Sequence, residues 1–412
     1  MADGLGPGFH RLPRRERLRR LAQASGLTPS ELGLLTSTSA LPHELSERLV
    51  ENSIGNFPIP LGLAVNFVVD GKPVVVPMAV EESSVVAAAS HGAKLAAAGG
   101  GFRTEVMDPV AIGQVELRDV RDVAAARRIV ARKAKAWIAT LNAAITSMVE
   151  RGGGVRRIEA RALGRRRLVL HLHVDTRDAM GANTVNTLCE TLAPIAAEAV
   201  RGTVGLRILS NLADTRLATV RCTVPAEAVG GRAAVDAIVA ANEFALDDPY
   251  RAATHNKGIM NGIDPVLVAT GNDWRAVEAG AHAYAARDGR YMALTQYRRG
   301  KDGALEASLT LPLPVGVVGG VTRLHPTAQV VLKVLGSPDA ARLAAIAASV
   351  GLAQNLAALK ALAGEGIQAG HMRMHALNLA LANGVPATRA GQVAKQMVRE
   401  GNVSATRARE LA

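Results

Sequence analysis

The sequence predicts an α+β fold in which helices predominate over strands. Short β-rich runs occur in the first quarter of the chain, and strands alternate with helices over roughly a hundred residues after Pro109. The length of 412 residues and the 49% content of hydrophobic residues suffice for two or three domains with a sizeable core. Aromatic residues make up only 3% of the chain, so this core must consist mainly of Ala, Leu, Val and Ile.

The N-terminal part predicts basic helices. Residues 11–36 combine several arginines with leucines, and Thr28 followed by Pro29 is typical of a helix start. No apolar segment follows a basic start at the N-terminus, so the sequence does not predict a secretion signal. We therefore expect a cytoplasmic protein.

A β-hairpin followed by a helix is the next predicted unit. The runs 67–69 and 74–76 are β-rich, and the turn Asp70-Gly71 separates them. An alanine-rich helix over 83–98 follows directly. The acidic pair Glu81-Glu82 therefore lies at a strand-to-helix junction, where a helix N-terminus favours negative charge.

A small α+β domain with a split β-α-β arrangement is predicted next. The expected order is a strand at 113–117, a long helix over 120–150, a strand at 168–174, a helix over 184–200 and a strand at 206–209. After Val224 the pattern indicates long helices and glycine-rich turns.

The longest uncharged stretch, 343–359, predicts a buried helix pair. It contains Ser349, Gln354 and Asn355 and lacks anchoring aromatic residues, which argues against a membrane span. The two cysteines, Cys189 and Cys222, cannot support a disulfide scaffold, and no Cys-x-x-Cys pair offers a zinc site.

The formal net charge of +12 predicts affinity for anions, such as nucleic acid, acidic lipid or phosphorylated ligands. Much of the excess charge is arginine within the predicted small domain. A solvated helix face and a phosphate-binding surface both explain these arginines.

Two of the polar segments could contact a ligand near a helix start. The first is Glu81-Glu82, for which helix-end electrostatics is a sufficient alternative explanation. The second is the turn 175–183, which ends a strand and contains glycine before a helix. Such a turn exposes backbone N–H groups to an anion, although no G-x-G-x-x-G motif and no P-loop occurs in the chain.

Two further segments could carry chemistry. Lysine is scarce in this chain, yet Lys257 lies among small residues and amides, and Asp264 and Asp273 follow it. A lysine beside a carboxylate can polarise a carbonyl oxygen, but a surface turn explains the pattern equally well. His371 and His375 are spaced to bind a metal from one helix face. Because no other His/Cys cluster occurs, a histidine that donates a proton is the favoured interpretation.

Eight motifs follow one another along the chain: Glu51–Asn56, Glu81–Ser84, Asp178–Asn183, His255–Gly262, Gly271–Arg275, Gly316–Gly320, Gly351–Asn355 and Glu365–His375. Together they resemble hydroxymethylglutaryl-coenzyme A reductase (HMG-CoA reductase), specifically the soluble bacterial class II type without a membrane anchor. The resemblance extends from residue 7 to the end of the chain.

The resemblance implies an interconversion of HMG-CoA with mevalonate and free coenzyme A. Two NAD(P)H-dependent hydride transfers proceed through mevaldyl-CoA and mevaldehyde. Glu82 would be the general acid that protonates the carbonyl oxygen, and Lys257 would stabilise the oxyanion. Asp273 would hydrogen-bond within the Lys/Glu network, which consists of Lys257 and Glu82. His371 would protonate the departing thiolate of coenzyme A.

The resemblance also implies binding residues. Those for the substrate are Ser84, Arg251, Asn261 and Gln354, with Arg251 pairing with the substrate carboxylate. Those for the nicotinamide cofactor are Asp178, Met180, Gly181, Ala182 and Asn183. No metal is implied.

The implied architecture is a large, mostly helical substrate-binding domain with a small inserted cofactor domain and a helical C-terminal flap. The cofactor domain would be α+β and ferredoxin-like rather than a Rossmann fold. The expected boundaries are 1–108 and 211–370 for the large domain, 109–210 for the cofactor domain and 371–412 for the flap. A homodimer with shared active sites, or a higher oligomer, is implied, without nucleic-acid or membrane partners.

NADPH is the favoured cofactor, with dual use of NADH possible. NAD-preferring relatives place an acid shortly before the Gly152-Gly153-Gly154 turn, where it pairs with ribose hydroxyls and repels a 2′-phosphate. This chain has the uncharged residues 145–148 there, in arginine-rich surroundings.

Two functions from other classes are alternatives. The charge and the arginine runs would suit a nucleic-acid-binding protein, but aromatic stacking platforms and recognisable basic modules are missing. A zinc hydrolase that uses His371 and His375 would require bound metal.

Overall fold

The structure is a computed structural model that describes residues 5–6, 8–37, 40–364 and 367–412. Within 367–374 it describes only the helical backbone. Helices hold 52% of the chain and strands 19%, which confirms the predicted α+β class. Strands and helices are numbered in chain order below.

Three short helices open the chain after a 3₁₀ turn at Phe9–Arg11: α1 (Arg14–Ser25), α2 (Pro29–Thr36) and α3 (His43–Leu49). The predicted helix start at Thr28-Pro29 is confirmed. The Thr28 hydroxyl accepts a hydrogen bond from the Glu31 N–H (3.3 Å), and the Glu31 carboxylate accepts one from the Thr28 N–H (2.7 Å). This reciprocal capping box satisfies two N–H groups that the helix leaves unpaired.

A six-stranded sheet forms the centre of the larger part of the molecule. Its strands are β1 (Leu61–Val69), β2 (Lys72–Ala79), β3 (Phe102–Val106), β8 (Leu217–Val224), β9 (Thr295–Arg299) and β10 (Leu305–Pro312), in the spatial order β2-β1-β3-β8-β10-β9. The predicted hairpin is confirmed, and its turn residues Asp70 and Gly71 both have positive φ, at 51° and 73°. Two-residue hairpin turns favour this conformation because its twist matches that of the strands.

Helices cover this sheet: α4 (Val85–Ala97), α8 (Ala226–Val229), α9 (Arg232–Asp247), α10 (Pro249–Ala269), α11 (Trp274–Ala285), α12 (Gly320–Leu324), α13 (Pro326–Val334) and α14 (Ala340–Ala363). The prediction of helices alone after Val224 was wrong, because β9 and β10 add a hairpin at the edge of the sheet. Helix α14 crosses α4 closely enough that a Cβ on Gly92 would lie 1.9 Å from the Ala353 carbonyl oxygen.

The expectation of a helix pair at 343–359 was also wrong, because α14 is one continuous helix of 24 residues. Among the described residues, α14 is the one helix long and apolar enough to cross a membrane, and 89% of its most apolar window is buried. Its apolar composition is therefore explained by its place between α4, α10 and the sheet, where it contacts protein on nearly every side.

A second sheet lies between β3 and β8 in the chain. Its elements are β4 (Val110–Arg118), α5 (Val123–Ala143), α6 (Thr146–Glu150), β5 (Gly154–Ala162), β6 (Leu168–Asp175), α7 (Ala182–Val200) and β7 (Thr203–Leu209). The strand order is β5-β6-β4-β7, and all neighbours are antiparallel. The βαββαβ succession with this order is the ferredoxin-like arrangement. Its core of Leu, Val and Ala side chains is separate from that of the large sheet.

Strand β5 was not predicted, and one long helix was predicted where α5 and α6 occur. The Asn142 amide explains the break, because it accepts a hydrogen bond from the Val155 N–H (2.7 Å) and donates one to the Val155 carbonyl (3.2 Å). Ile145 then leaves the helical region, with φ −127° and ψ 43°. The first helix is thus tied to the start of β5, and the chain must turn there.

Three helices end the chain: α15 (Ile367–Ala382), α16 (Ala387–Arg399) and α17 (Ala405–Glu410). They enclose a small core of their own, which includes Ala376, Ala380, Val393 and Met397. The boundary predicted at residue 371 falls inside α15.

Candidate active site

The acidic pair lies where β2 ends and α4 begins, as predicted. Ser84 precedes the first residue of α4 and has a positive φ of 73°. Residues other than glycine rarely adopt this left-handed conformation, and such residues are enriched at functional sites, where the surrounding structure holds them. The junction therefore fixes the direction in which Glu82 and Ser84 leave the backbone.

Helix α10 brings Lys257 to this junction. The Lys257 Nζ lies 3.4 Å from the Glu82 Oε2, although the two residues are 175 positions apart in the sequence. Both side chains are open to solvent, with 62% of Lys257 and 45% of Glu82 exposed. A cation and a carboxylate that face open space together can contact a ligand while they remain paired.

A cavity of about 1750 Å³ opens at the same place. Glu82 and Ser84 line it, and so does Phe57 from the segment before β1. Asn378 of α15 also borders it, so this helix reaches the cavity that the acidic pair lines.

Asp273 is one residue before α11 and caps that helix. Its carboxylate accepts a hydrogen bond from the Ala276 N–H (3.1 Å) and lies 3.5 Å from the Arg275 guanidinium. Within the described part of the chain, no hydrogen bond or ion pair joins Asp273 to Lys257. The predicted membership of Asp273 in the Lys/Glu network thus stays a prediction.

Three of the four predicted substrate residues lie on two helices that cross closely, whereas Ser84 precedes α4. Arg251 and Asn261 are on α10, and Gln354 is on α14, where a Cβ on Gly262 would come within 2.9 Å of the Gln354 Cβ. Gln354 is 6% exposed, and its Oε1 has no hydrogen-bond partner among the described residues. An unpaired buried acceptor of this kind is rare in native structures, and the Gln354 oxygen can accept a hydrogen bond from a ligand.

Arg251 is half-buried, and partial burial lowers the pKa of its guanidinium below the ordinary value. With the described residues the guanidinium forms no hydrogen bond or ion pair. Such a cation is available to bind a carboxylate in bidentate fashion.

Sequence reasoning gave no role to His255, which is at the centre of a buried polar network. Its Nε2 lies 2.5 Å from the Thr295 hydroxyl and 3.1 Å from the Asn355 amide nitrogen. Burial, together with the nearby Arg251 charge, lowers the pKa of His255 to about 3, so the ring is neutral at neutral pH. This network fixes α10 against α14 and β9 beneath the substrate residues.

The predicted cofactor turn is held by backbone contacts. Gly181 has a φ of 90°, and a Cβ there would lie 2.3 Å from the Thr176 Cγ2, so a side chain would not fit. Ala182 then begins α7, and Asn183 is exposed in its first turn. The first turn carries no acidic residue and no side chain caps it, so its N–H groups are free for an anion.

Two predicted cofactor residues of this turn contact the larger part of the molecule. The Asp178 carboxylate accepts a hydrogen bond from the Ala340 N–H at the start of α14 (3.0 Å). The Met180 carbonyl accepts one from the guanidinium of Arg216 (3.1 Å). Sequence reasoning missed Arg216, because one more arginine between two strands gives no signal in a chain so rich in this residue.

His371 lies in α15, but its side chain is outside the described residues, so its predicted role stays a prediction. His375 is exposed on the same helix. Across the described part of the chain, no three His, Cys, Asp or Glu side chains are grouped closely enough to hold a metal ion.

Comparison with known proteins gives one consistent result. Residues 13–376 match the family model for hydroxymethylglutaryl-coenzyme A reductase. The chain is 46% identical over 408 residues to 3-hydroxy-3-methylglutaryl-coenzyme A reductase of Archaeoglobus fulgidus, covering 98% of this chain and 93% of that one. It is 35% identical over 336 residues to a probable enzyme of the same name from Borreliella burgdorferi, covering 79% and 76% of the two chains.

Solved structures agree. The reductase of Streptococcus pneumoniae superposes with a TM-score of 0.86 at 40% identity, covering 98% of both chains. A class II structure from the same organism, bound to NADPH in open conformations, gives a TM-score of 0.84 at 41% identity over 86% of this chain and 99% of that one. Since the family match covers most of the chain and includes the Glu82–Lys257 junction, this protein belongs to the hydroxymethylglutaryl-coenzyme A reductase family.

Proposed function

We propose that the chain interconverts HMG-CoA with mevalonate and coenzyme A in two NAD(P)H-dependent hydride transfers at the Glu82–Lys257 junction. The observation that carries this proposal is the 3.4 Å contact of the Lys257 ammonium with the carboxylate of Glu82, a residue that lines a large cavity. This pairing offers an acid and a cation to one carbonyl oxygen.

The proposed mechanism gives each side chain one task. The Lys257 ammonium stabilises the negative charge that develops on the thioester oxygen, and Glu82 delivers the proton to that oxygen. A bound nicotinamide supplies the hydride. Arg251 holds the far carboxylate of the substrate, while Ser84, Asn261 and Gln354 orient its polar groups. His371 protonates the thiolate of coenzyme A, which then cannot add back to the aldehyde.

Replacement of Lys257 tests this assignment. Lys257→Ala should lower kcat by at least about a hundredfold, because loss of one oxyanion donor commonly costs that much. Lys301→Ala, in the exposed turn between β9 and β10, is the matched control and should keep full activity. The assay follows the oxidation of NADPH in the presence of HMG-CoA, with two NADPH oxidised for each HMG-CoA reduced. Near-normal turnover of Lys257→Ala would refute the role.

We further propose that NADPH is preferred over NADH. Three arginines surround the Gly152 turn, which lies beside the cofactor turn: Arg156 and Arg177 both donate to the Gly152 carbonyl, and Arg151 bonds the Ser147 hydroxyl (2.7 Å). Asp175 is the acidic partner of this group, at 3.0 Å from Arg156, and is itself buried. The exposed excess of positive charge suits a 2′-phosphate. A higher kcat/KM with NADH than with NADPH would contradict the preference.

We also propose the division into domains that the resemblance implies. The ferredoxin-like unit would bind the cofactor, the larger part would bind HMG-CoA, and α15–α17 would form a flap that closes over the cavity which Asn378 borders. Hydrogen exchange of the α16 and α17 backbone should slow when substrate and cofactor bind together, and unchanged exchange would contradict a closing flap.

We also propose that the protein is a cytoplasmic homodimer in which two copies of the chain share the active sites. Ile54 and Phe57, two large apolar side chains in the segment before β1, are 102% and 90% exposed, and Phe57 lines the cavity. A second copy of the chain would cover them. Light scattering on the purified protein should give twice the mass of 42.9 kDa, and Phe57→Asp should shift it towards the monomer.

A further inference from the structure

Arg216 is a buried cation between the two sheets. It follows β7 and directly precedes β8, where the chain passes from the ferredoxin-like unit back to the large sheet. Only 4% of the residue is exposed. Its guanidinium donates to the Met180 carbonyl (3.1 Å), the Thr176 hydroxyl (3.3 Å) and the Val315 carbonyl (2.8 Å).

All three acceptors are uncharged, and among the described residues no carboxylate lies within ion-pair distance of Arg216. Burial lowers the pKa of the guanidinium to about 10, with Asp175 as the charge that opposes this shift, so the side chain stays cationic at neutral pH. A buried cation without a carboxylate partner is costly. An apolar residue could fill such a space more favourably, which indicates that the hydrogen bonds themselves serve a purpose.

These hydrogen bonds join the cofactor turn to a second segment, residues 313–317, which we call the strap. The strap is also held by backbone bonds: the Leu313 N–H donates to the Arg216 carbonyl (3.0 Å), and the Val317 N–H donates to the Asp178 carbonyl (2.9 Å). Gly316 fits against the turn so closely that a Cβ would lie 2.5 Å from the Met180 nitrogen.

A further hydrogen bond connects the strap to the loop that carries Asp273. The Gly316 N–H donates to the Asn272 side-chain oxygen (2.8 Å), and Asn272 immediately precedes Asp273. Hydrogen bonds therefore run from Met180 through Arg216 and the strap to Asn272. This path begins at the proposed cofactor turn and ends at Asn272, one residue before the proposed catalytic carboxylate of Asp273.

We propose that Arg216 is a positioning residue that sets the cofactor turn at a fixed distance from the Asp273 loop, so that the nicotinamide faces the reacting carbonyl. This inference rests on the proposed cofactor role of the turn. The planar guanidinium is required because its two terminal nitrogens bond oxygens on two different segments at once. A lysine retains the charge but presents one nitrogen and cannot bridge both segments in this geometry.

The test compares Arg216→Lys with wild type and with the control Arg221→Lys. Arg221 is on the neighbouring strand β8, where it is exposed and lies 3.6 Å from Glu105. Arg216→Lys should lower kcat/KM for NADPH by about ten- to a hundredfold, since it loses one or two charge-assisted hydrogen bonds. The KM for HMG-CoA should change by less than about twofold, and the control should behave as wild type.

Gly316→Ala provides a second measurement on the same contact, and it carries the test if Arg216→Lys does not fold. Its added methyl group pushes the strap away from Met180, so the same loss in kcat/KM for NADPH with an unchanged KM for HMG-CoA is expected. Gly33→Ala, at a helical position with open space around it, is its control.

Two results would overturn the inference. One is wild-type cofactor kinetics in Arg216→Lys, which would show that the charge alone matters. The other is a loss of thermal stability with unchanged kinetic constants, which would show a merely structural role. Failure of the wild-type enzyme to oxidise NADPH with HMG-CoA would instead refute the proposed function, so the two failures are distinguishable.

Discussion

Asp264 provides a sharp test of the electrostatics beneath the active site. It lies seven residues after Lys257 on α10 and therefore shares a face of that helix. Its carboxyl lies near Glu278 of α11, and its Oδ1 has no hydrogen-bond partner among the described residues. Burial, followed by the nearby Glu278 charge, raises the pKa of Asp264 to about 8.

The expected effect on stability follows from the sign of this shift. In the unfolded chain the pKa of an aspartate is about 4. Between that pH and pH 8, the folded state therefore holds one more proton than the unfolded state, so the free energy of unfolding falls as pH rises. The slope from this group is about 1.4 kcal/mol per pH unit, which amounts to roughly 4 kcal/mol between pH 4 and pH 7.

Asp264→Asn removes the titration while it keeps the size and hydrogen-bonding capacity of the side chain. We expect the variant to be close to wild type in stability near pH 4 and progressively more stable than wild type up to pH 8. Urea unfolding at pH 5, 6, 7 and 8 measures the difference. Asp302→Asn, in an exposed turn, should show a constant difference from wild type.

A difference between Asp264→Asn and wild type that stays constant within about 0.5 kcal/mol over this range would refute the reasoning. It would show that Asp264 is ionised in the folded protein.

Three further predictions concern the proposed flap, the core and a helix cap. His371→Gln should slow the reduction of HMG-CoA far more than the reduction of free mevaldehyde, because only the first produces a thiolate; equal slowing in steady-state assays would contradict this. Gly92→Ala should destabilise the protein by about 1–3 kcal/mol in thermal unfolding, because the new methyl group meets the Ala353 carbonyl. Gly391→Ala, with open space around it, should be tolerated. Thr28→Ala should cost about 1 kcal/mol in the same assay, since it removes one half of the capping box.

The features that were predicted correctly are those that depend on interactions between residues close together in the sequence. The hairpin at Asp70-Gly71 and the helix start at Thr28 depend on backbone preferences of a few neighbouring residues, and both predictions are confirmed. The alternation of strands and helices likewise indicated the inserted α+β unit. The junction of Glu82 with α4 was predictable for the same reason.

Features that depend on distant contacts were not predictable from the sequence pattern. Strand β5 was missed because its arginines hide the alternation that normally reveals a half-buried strand. The break between α5 and α6 requires the contact of Asn142 with Val155. The contact of Glu82 with Lys257 and the three bonds of Arg216 join residues far apart in the chain, and no spacing rule reports such pairs.

The pairing of β3 with β8 has a consequence for the order of folding. Val106 lies opposite Ala218, so the ends of the inserted unit emerge side by side. Closing a flexible loop of about 110 residues between them would cost roughly 4 kcal/mol of chain entropy. If the inserted unit has already folded, the Thr215 hydroxyl bonds the Val110 carbonyl (2.6 Å) and the two ends are already together. The large sheet then closes at little entropic cost, so the ferredoxin-like unit should form first and serve as the template on which β3 meets β8.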